Sequence, residues 1–296
     1  MSKIGKINVN RLIRMKQEAK KIVATTAYDF PFARFAESAG IDLILVGDSG
    51  GMVVLGYDST VPVTMDEMVL MSKAVSRGAK IPMLVGDMPF MSYQASREDA
   101  IRNAGRFLKE GGMDAVKIEG GKDSVDKVRA ISRAGIPVIG HIGLQPQMDK
   151  FWQGYRVQGK DYRSASTLIE DASELESAGA VAIVLEMITS EVSEIITERL
   201  SIPTIGIGSG PHCDGQILVL HDIIGLYDDL TPKFVKRYTN LAPEIISALS
   251  RFREDILSGK YPEERHASRM ESSEFSKMRR FHRKEDEAKI DTGRES

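Results

Sequence analysis

Cysteine is nearly absent: the 296-residue chain has one, Cys213. A single thiol can neither close an internal disulfide nor build a cysteine metal site. Its solitude fits a reducing compartment. Long apolar runs are missing too, and none approaches the roughly 20 residues that a membrane helix needs. The opening MSKIGKINVN holds no apolar stretch of signal-peptide length. The expectation is a cytoplasmic protein with no membrane partner. Charge of one sign is also missing: 40 Lys and Arg face 42 Asp and Glu, a net charge of −2. That balance gives no reason to expect nucleic acid as a partner.

What is present is an ordinary globular composition, 42% hydrophobic and 28% charged. The length suits one large α/β barrel or two small domains. Short Val/Ile/Leu runs recur, each ending in Gly, Asp, Glu or His. Continuous apolar runs of this kind predict buried parallel strands. Eight are read: Ile22–Tyr28, Leu43–Ser49, Met83–Met88, Ala115–Gly120, Val138–Gly143, Ala182–Met187, Thr204–Gly210 and Ile217–His221. Helical patterns fall between them at Pro31–Ala39, Ser96–Glu110, Ser124–Ala134, Ser166–Ala178 and Ser190–Leu200. Ser96 with Asp99 reads as a capping box. SAGID, RAGIP and SAGAV each read as a helix stop followed at once by a strand.

Regular βα alternation predicts a parallel sheet with helices outside. Eight units predict a closed (β/α)8 TIM barrel. The open doubly wound sheet is the runner-up. Its usual GxGxxG after the first strand is missing, and AYDFPF stands there instead. Two strand-to-helix loops are long, Gly50–Thr64 and Leu144–Ser164. Loops of that length at this face shape active sites. An amphipathic helix over Val9–Ala19 is expected to close the barrel bottom, and Leu241–Leu257 reads as a helix after the last strand. The barrel domain is assigned to residues 1–269. Residues 270–296 carry seven Lys/Arg and seven Asp/Glu with few aliphatics, which predicts a disordered or loosely helical tail.

A barrel places its chemistry at the C-terminal ends of its strands. There the chain offers Asp48 and Ser49, Asp87, Lys117 and Glu119, His141 and Glu186. Asp48, Asp87 and Glu119 would crowd three carboxylates into one bowl, where they repel and raise one another's pKa. A bound cation removes that cost. Oxygen ligands without Cys favour Mg2+. The alternative is that each acid caps the helix that follows it. Lys117 and Glu119 are two apart on one strand and so point to one face. An inward lysine needs an anionic partner or a catalytic role. Glu186 follows AIVL, and as an isolated acid in an apolar strand it suits a general base with a raised pKa. A carboxylate satisfied by backbone donors is the other reading. His141 reads as a core residue or a donor behind the site. GIGSG after the seventh strand is either a phosphate cradle or a close-packing turn.

The strings TTAYDFPFA, LVGDSGGMVVLGYDSTVPVT, GDMPFMSY, AVKIEGG, IPVIGHIGLQPQ, IPTIGIGSGPHCDGQILVLHD and TPKFVKRY resemble the ketopantoate hydroxymethyltransferase family, in order, from about Asn10 to His266. The resemblance implies a Mg2+-dependent barrel of the phosphoenolpyruvate/pyruvate-like type. It implies hydroxymethyl transfer from 5,10-methylenetetrahydrofolate to 3-methyl-2-oxobutanoate, giving 2-dehydropantoate in pantothenate biosynthesis. By motif, the family's metal ligands fall on Asp48, Asp87 and Glu119. Its substrate-binding residues fall on Asp48, Ser49, Asp87 and Lys117, and its proton acceptor on Glu186. A large homo-oligomer, commonly a decamer, is implied as well. The chain departs from the family pattern at Gly50, commonly Leu, at Ser209 in IGIGSG, at Gln145 in HIGLQPQ, and in the tail after about Met270.

Competing readings are a Mg2+-dependent lyase or mutase on another 2-oxo acid, as in isocitrate lyase and phosphoenolpyruvate mutase barrels. Those typically use a cysteine in a KxCGH-type loop, and Glu119 stands there instead. A barrel kept as a structural subunit would have lost some strand-end acids, yet all four are present. A flavin or sugar-phosphate barrel using GIGSG is the remaining option.

Overall fold

The structure, a computed structural model, describes residues 5–148, 156–227 and 232–292. Eight parallel strands close into a barrel in sequence order: β1 Ile22–Thr26, β2 Leu43–Val46, β3 Met83–Asp87, β4 Ala115–Glu119, β5 Val138–Gly143, β6 Ala180–Glu186, β7 Thr204–Ile207 and β8 Gly215–Leu218. β8 pairs back onto β1, with Ile22 opposite Gly215 and Ala24 opposite Ile217.

The alternation of side chains along each strand explains both sides of the barrel. Leu43 and Leu45, Met83 and Val85, Ile139, Ala182 and Val184, Ile205 and Ile217 pack in one interior cluster. Their neighbours Ile44, Val46, Leu84, Val116, Ile118, Ile183 and Leu185 pack in a second cluster, with residues of the surrounding helices. Both faces of β2, β3 and β4 are therefore buried, which is why those runs are continuously apolar. β1 and β8 each leave one outward position exposed, Val23 and Gln216. The N-terminal helix, Val9–Gln17, sends Leu12 and Met15 into the interior cluster. It closes the barrel bottom, as the amphipathic pattern predicted.

Local signals start and stop the helices. Asp29 caps Phe30–Ser38 by accepting from the Phe32 amide. Ser96 caps Arg97–Lys109 by accepting from the Asp99 amide. Gly179, at φ +104, ends Tyr162–Ala178 in the left-handed region that glycine enters freely. That helix starts four residues before the expected Ser166, because Asp161 and Ser164 form a capping box.

Other differences from the sequence reading are physical too. A helix, Met65–Gly78, fills the second unit, between β2 and β3, and has its own capping box, Thr64 with Glu67. β8 begins at Gly215 and stops at Leu218, short of the expected His221, and Leu220–Ile223 is a short helix. The run ILVLHD spans both elements, and an apolar run alone cannot separate strand from helix. β7 leads to β8 through 208–214 with no helix between them. Of the long loop Leu144–Ser164, residues 149–155 lie outside the described residues.

The chain forms two compact units. One is Met1–Asn240, which holds the barrel. The other is Leu241–Ser296, with helices Leu241–Leu257 and Ser272–Thr292. The first unit ends at Asn240. The segment expected to be disordered or loosely helical is helical over Ser272–Thr292. Among the described residues no helix is long and apolar enough to cross a membrane.

Candidate active site

The interior phase that carries Met83 and Val85 carries Asp87 next. On β4, Ala115 is followed by Lys117 and Glu119. On β5, Ile139 is followed by His141, and on β6, Val184 is followed by Glu186. Strand alternation alone turns these side chains into the barrel mouth. Register brings them together: Asp87 pairs with Lys117, and Glu119 with His141. They line one cavity of about 660 Å3, together with Asp48 and Ser49. Asp48, Asp87, Lys117, Glu119 and His141 are each at most 4% exposed.

None of the three acids caps a helix. The N-cap positions of the α-helices that follow them are Ser49, Ser96 and Ser124. The acids instead engage one another's neighbours. Lys117 Nζ lies 2.8 Å from Asp87 Oδ1 and 3.7 Å from Glu119 Oε1. The Asp48 amide donates to Asp87 Oδ2 at 3.2 Å. Gln147 Nε2 donates to Asp48 Oδ2 at 3.0 Å, and the Gln147 amide donates to Glu119 Oε2 at 3.2 Å. Tyr93 braces this arrangement. Its hydroxyl accepts from the Glu119 amide at 3.1 Å and donates to Gln147 Oε1 at 3.0 Å.

The electrostatics follow from crowding. Burial, then the charges of Asp87 and Glu119, hold the Asp48 carboxyl well above the usual range. Burial also raises Asp87, against the pull of Lys117. Burial would raise Glu119, but hydrogen bonding to His141 and the charge of Lys117 outweigh it and lower it. Burial would lower Lys117, but the charges of Asp87, Glu119 and Asp48 raise it. One ammonium thus faces three buried carboxylates, and each unpaired buried ion costs several kcal/mol.

That excess of negative charge suits a hard divalent cation, and the donors are all oxygen. As the side chains stand, however, no three carboxylates or histidines among the described residues converge on one point. Gln147 and Lys117 occupy the lobes of Asp48 and Asp87 that a cation would take. Holding one requires the Gln147 amide to release Asp48.

Glu186 is not the isolated acid that the sequence suggested. His141 Nε2 lies 3.2 Å from Glu186 Oε2, and His141 Nδ1 lies 3.3 Å from Glu119 Oε1. His141 therefore bridges the acid cluster and Glu186. Burial and Lys117 push the imidazole down, but its bonds to Glu119 and Glu186 lift it to about 9. Ser49 Oγ is 2.9 Å from the Tyr28 hydroxyl. GIGSG is a close-packing turn. Ser209 donates to the Leu185 carbonyl at 2.7 Å and accepts from the Ile188 amide at 3.1 Å, pinning the loop to the end of β6.

Sequence reasoning missed Gln147, Tyr93 and Tyr28. Gln147 had one readable signal, its place in the long loop after β5. It also missed Asp222, which lines the same cavity from the short helix after β8.

Residues 6–264 match the family model described as ketopantoate hydroxymethyltransferase. A 3-methyl-2-oxobutanoate hydroxymethyltransferase of Carboxydothermus hydrogenoformans is 55% identical over 267 residues, covering 90% of this chain and 97% of that one. One from Nitrosopumilus maritimus is 51% identical, covering 92% and 97%. Among solved structures, a phosphonopyruvate hydrolase in complex with oxalate and Mg2+ superposes with a TM-score of 0.56 at 14% identity, covering 94% and 96%. A 2,3-dimethylmalate lyase of the PEP mutase/isocitrate lyase superfamily gives 0.52 at 18% identity, covering 96% and 97%. The distant structures share the barrel. The relatives align with about nine-tenths of this chain at 51–55% identity, and the family model matches residues 6–264, so the chain belongs to the ketopantoate hydroxymethyltransferase family and is a transferase enzyme.

Proposed function

We propose that the enzyme transfers a hydroxymethyl group from 5,10-methylenetetrahydrofolate to 3-methyl-2-oxobutanoate, giving 2-dehydropantoate for pantothenate biosynthesis. The observation that carries this reading is the shared cavity floor: Asp48, Asp87, Lys117 and Glu119 beside Glu186. A 2-oxo acid presents adjacent carboxylate and keto oxygens, and its C3 proton is acidic only if charge on the keto oxygen is stabilised. A divalent cation, when held by Asp48, Asp87 and Glu119, supplies Lewis acidity to those oxygens. Lys117, held charged by its acid neighbours, donates to the oxygen on which charge develops. The Ser49 hydroxyl donates to the substrate carboxylate. Glu186 accepts the C3 proton. His141 engages its Oε2, so the proton goes to Oε1. Water opens the methylene bridge of the folate, breaking both C–N bonds to leave tetrahydrofolate and free the one-carbon unit as formaldehyde. The carbon nucleophile adds to that carbonyl carbon, and the resulting alkoxide takes a proton to become the hydroxymethyl group.

The lyase or mutase alternative is weaker here. The chain's one cysteine, Cys213, follows β7 rather than β4. Family membership also supports a homo-oligomeric assembly, which sedimentation would test.

The test is a coupled assay with 3-methyl-2-oxobutanoate, methylenetetrahydrofolate and Mg2+, repeated with EDTA and with Asp87→Asn. Transfer that survives both treatments sinks the metal reading. Proton exchange at C3 without folate, followed by NMR in D2O, tests the base: Glu186→Gln should abolish it.

A further inference from the structure

Five acids line the cavity, and four have partners. Asp48 meets Gln147, Asp87 meets Lys117, and Glu119 and Glu186 meet His141. The fifth is Asp222, on the short helix Leu220–Ile223. It is 9% exposed and lines the cavity. Among the described residues no hydrogen-bond donor reaches its carboxylate. Burial pushes the carboxyl up to about 6, against the charge of Arg237, which acts on it without a hydrogen bond. Arg237 Nη2 itself donates to the Tyr227 carbonyl at 3.2 Å. A buried carboxylate without a donor costs stability unless a ligand supplies one.

Its surroundings say what kind of ligand. Tyr28 connects Asp222 to the acid cluster: its hydroxyl meets Ser49 Oγ and feels the charges of both Asp222 and Asp48. Asp222 therefore belongs to the same cavity as the 2-oxo acid's groups. The cavity lining contributed by the residues after β8 is mixed: Val219, Pro232 and Phe234 are apolar, while Tyr227 and Lys233 bring polar groups. The Phe234 ring is fixed against Gly208, where a Cβ would come within 2.8 Å of it. The 2-oxo acid is itself an anion and would be repelled by Asp222. The second substrate is a flat heterocycle whose amino-pyrimidinone edge carries two neighbouring N–H donors, a ring N–H and an exocyclic amino group. Two carboxylate oxygens match two parallel donors. The apolar members of that lining suit the ring faces.

We propose that Asp222 binds the amino-pyrimidinone edge of the reduced pterin, accepting from its ring N–H and its 2-amino group. The proposal rests on the reading that reduced folate is the one-carbon donor. It gives the folate a subsite on the β8 side of the cavity, with the acid cluster below.

The test compares the full-length wild type with Asp222→Asn and Asp222→Ala by steady-state kinetics. KM for methylenetetrahydrofolate should rise about tenfold to a hundredfold, the loss expected of a charge-assisted bond. KM for the 2-oxo acid should stay within about twofold, because that acid binds elsewhere. A 2-desamino analogue of the folate supplies the second arm. It should bind the wild type worse by a comparable factor and Asp222→Ala no worse than the parent folate, since the pair has already been broken. A folate KM that does not move, two KM values that rise together, or a full extra penalty for the analogue in Asp222→Ala would overturn the proposal. If instead the wild type shows no transfer from methylenetetrahydrofolate while still exchanging the C3 proton, the donor reading falls first and takes the proposal with it.

Discussion

Lys117 Nζ lies 2.8 Å from Asp87 Oδ1, and the two residues are register partners across β3 and β4. The pair is fixed by the sheet, so neither side chain can turn away without leaving a buried charge. Removing the lysine leaves three buried carboxylates with no ammonium among them. Lys117→Met should destabilise the metal-free protein at pH 7.5 by about 3–5 kcal/mol, the usual penalty for breaking a buried pair. Millimolar Mg2+ should recover much of that loss, and it should stabilise the wild type as well. Urea denaturation with and without Mg2+ measures both. If Mg2+ stabilises neither protein, the acids do not hold it.

His141 makes a second prediction possible because it touches Glu186 and is not itself assigned a substrate. Its Nε2 lies 3.2 Å from one oxygen of Glu186, an ion-pair contact that orients the carboxylate without an aligned hydrogen bond. His141→Asn should lower kcat by about tenfold to a hundredfold, as loss of orientation at a general base does. KM for the 2-oxo acid should change little, and C3 proton exchange should fall in step with kcat. A variant that loses substrate affinity but exchanges at the normal rate would show His141 to be part of the binding surface instead.

Most of this site was legible in the sequence for one reason. Strand alternation is rigid, so Asp87, Lys117, Glu119, His141 and Glu186 could be counted off from the apolar residues two places before them. Gln147 could not be counted off. It stands on a short turn, Pro146–Met148, within a loop whose path no periodicity encodes. The pairing of Glu186 with His141 was equally hidden, because it depends on the separation of two strands and not on either strand's pattern. The helix Met65–Gly78 was a different kind of miss. Its capping box, Thr64 with Glu67, was readable. Asp222 escaped because the run ending in His221 was read as one strand.

Asp222 also carries a pH signature. Its carboxyl is raised to about 6 in the folded protein, from an ordinary value near 4. The folded state therefore binds this proton more tightly than the unfolded state. Its contribution falls as pH rises between those two values and is level above them. Asp222→Asn removes the penalty. At pH 7.5 the variant should melt about 2–4 °C above the wild type, a shift equivalent to ~1 kcal/mol in a chain of this size. At pH 4 and below, the gain should vanish. The comparison is made between variant and wild type, because Asp48 and Asp87 are raised too and move both curves alike. A variant that melts lower at pH 7.5 would mean that the carboxylate supports the fold through Arg237, and the unpartnered reading would be lost.

Gly50 directly follows Ser49 and stands where the family commonly has Leu. It starts the short helix Gly50–Val53 and is buried. A Cβ there would come within 2.7 Å of the Tyr28 ring and 2.9 Å of Met71 Sδ. Two effects of Gly50→Ala compete. Helix propensity gains about 0.5–1 kcal/mol, while overpacking costs about 1–3 kcal/mol. Overpacking should win, with a net loss of about 1–2 kcal/mol in urea denaturation. The Tyr28 ring has to give way, and its hydroxyl holds Ser49 Oγ at 2.9 Å. KM for the 2-oxo acid should therefore rise about threefold to tenfold, as expected when one neutral hydrogen bond is weakened. Met71 is the flexible neighbour, so adding Met71→Ala should recover part of the lost affinity by letting Tyr28 return. A Gly50→Ala protein that is more stable than wild type and keeps its KM would show that Tyr28 has room to spare and that Ser49 does not depend on it.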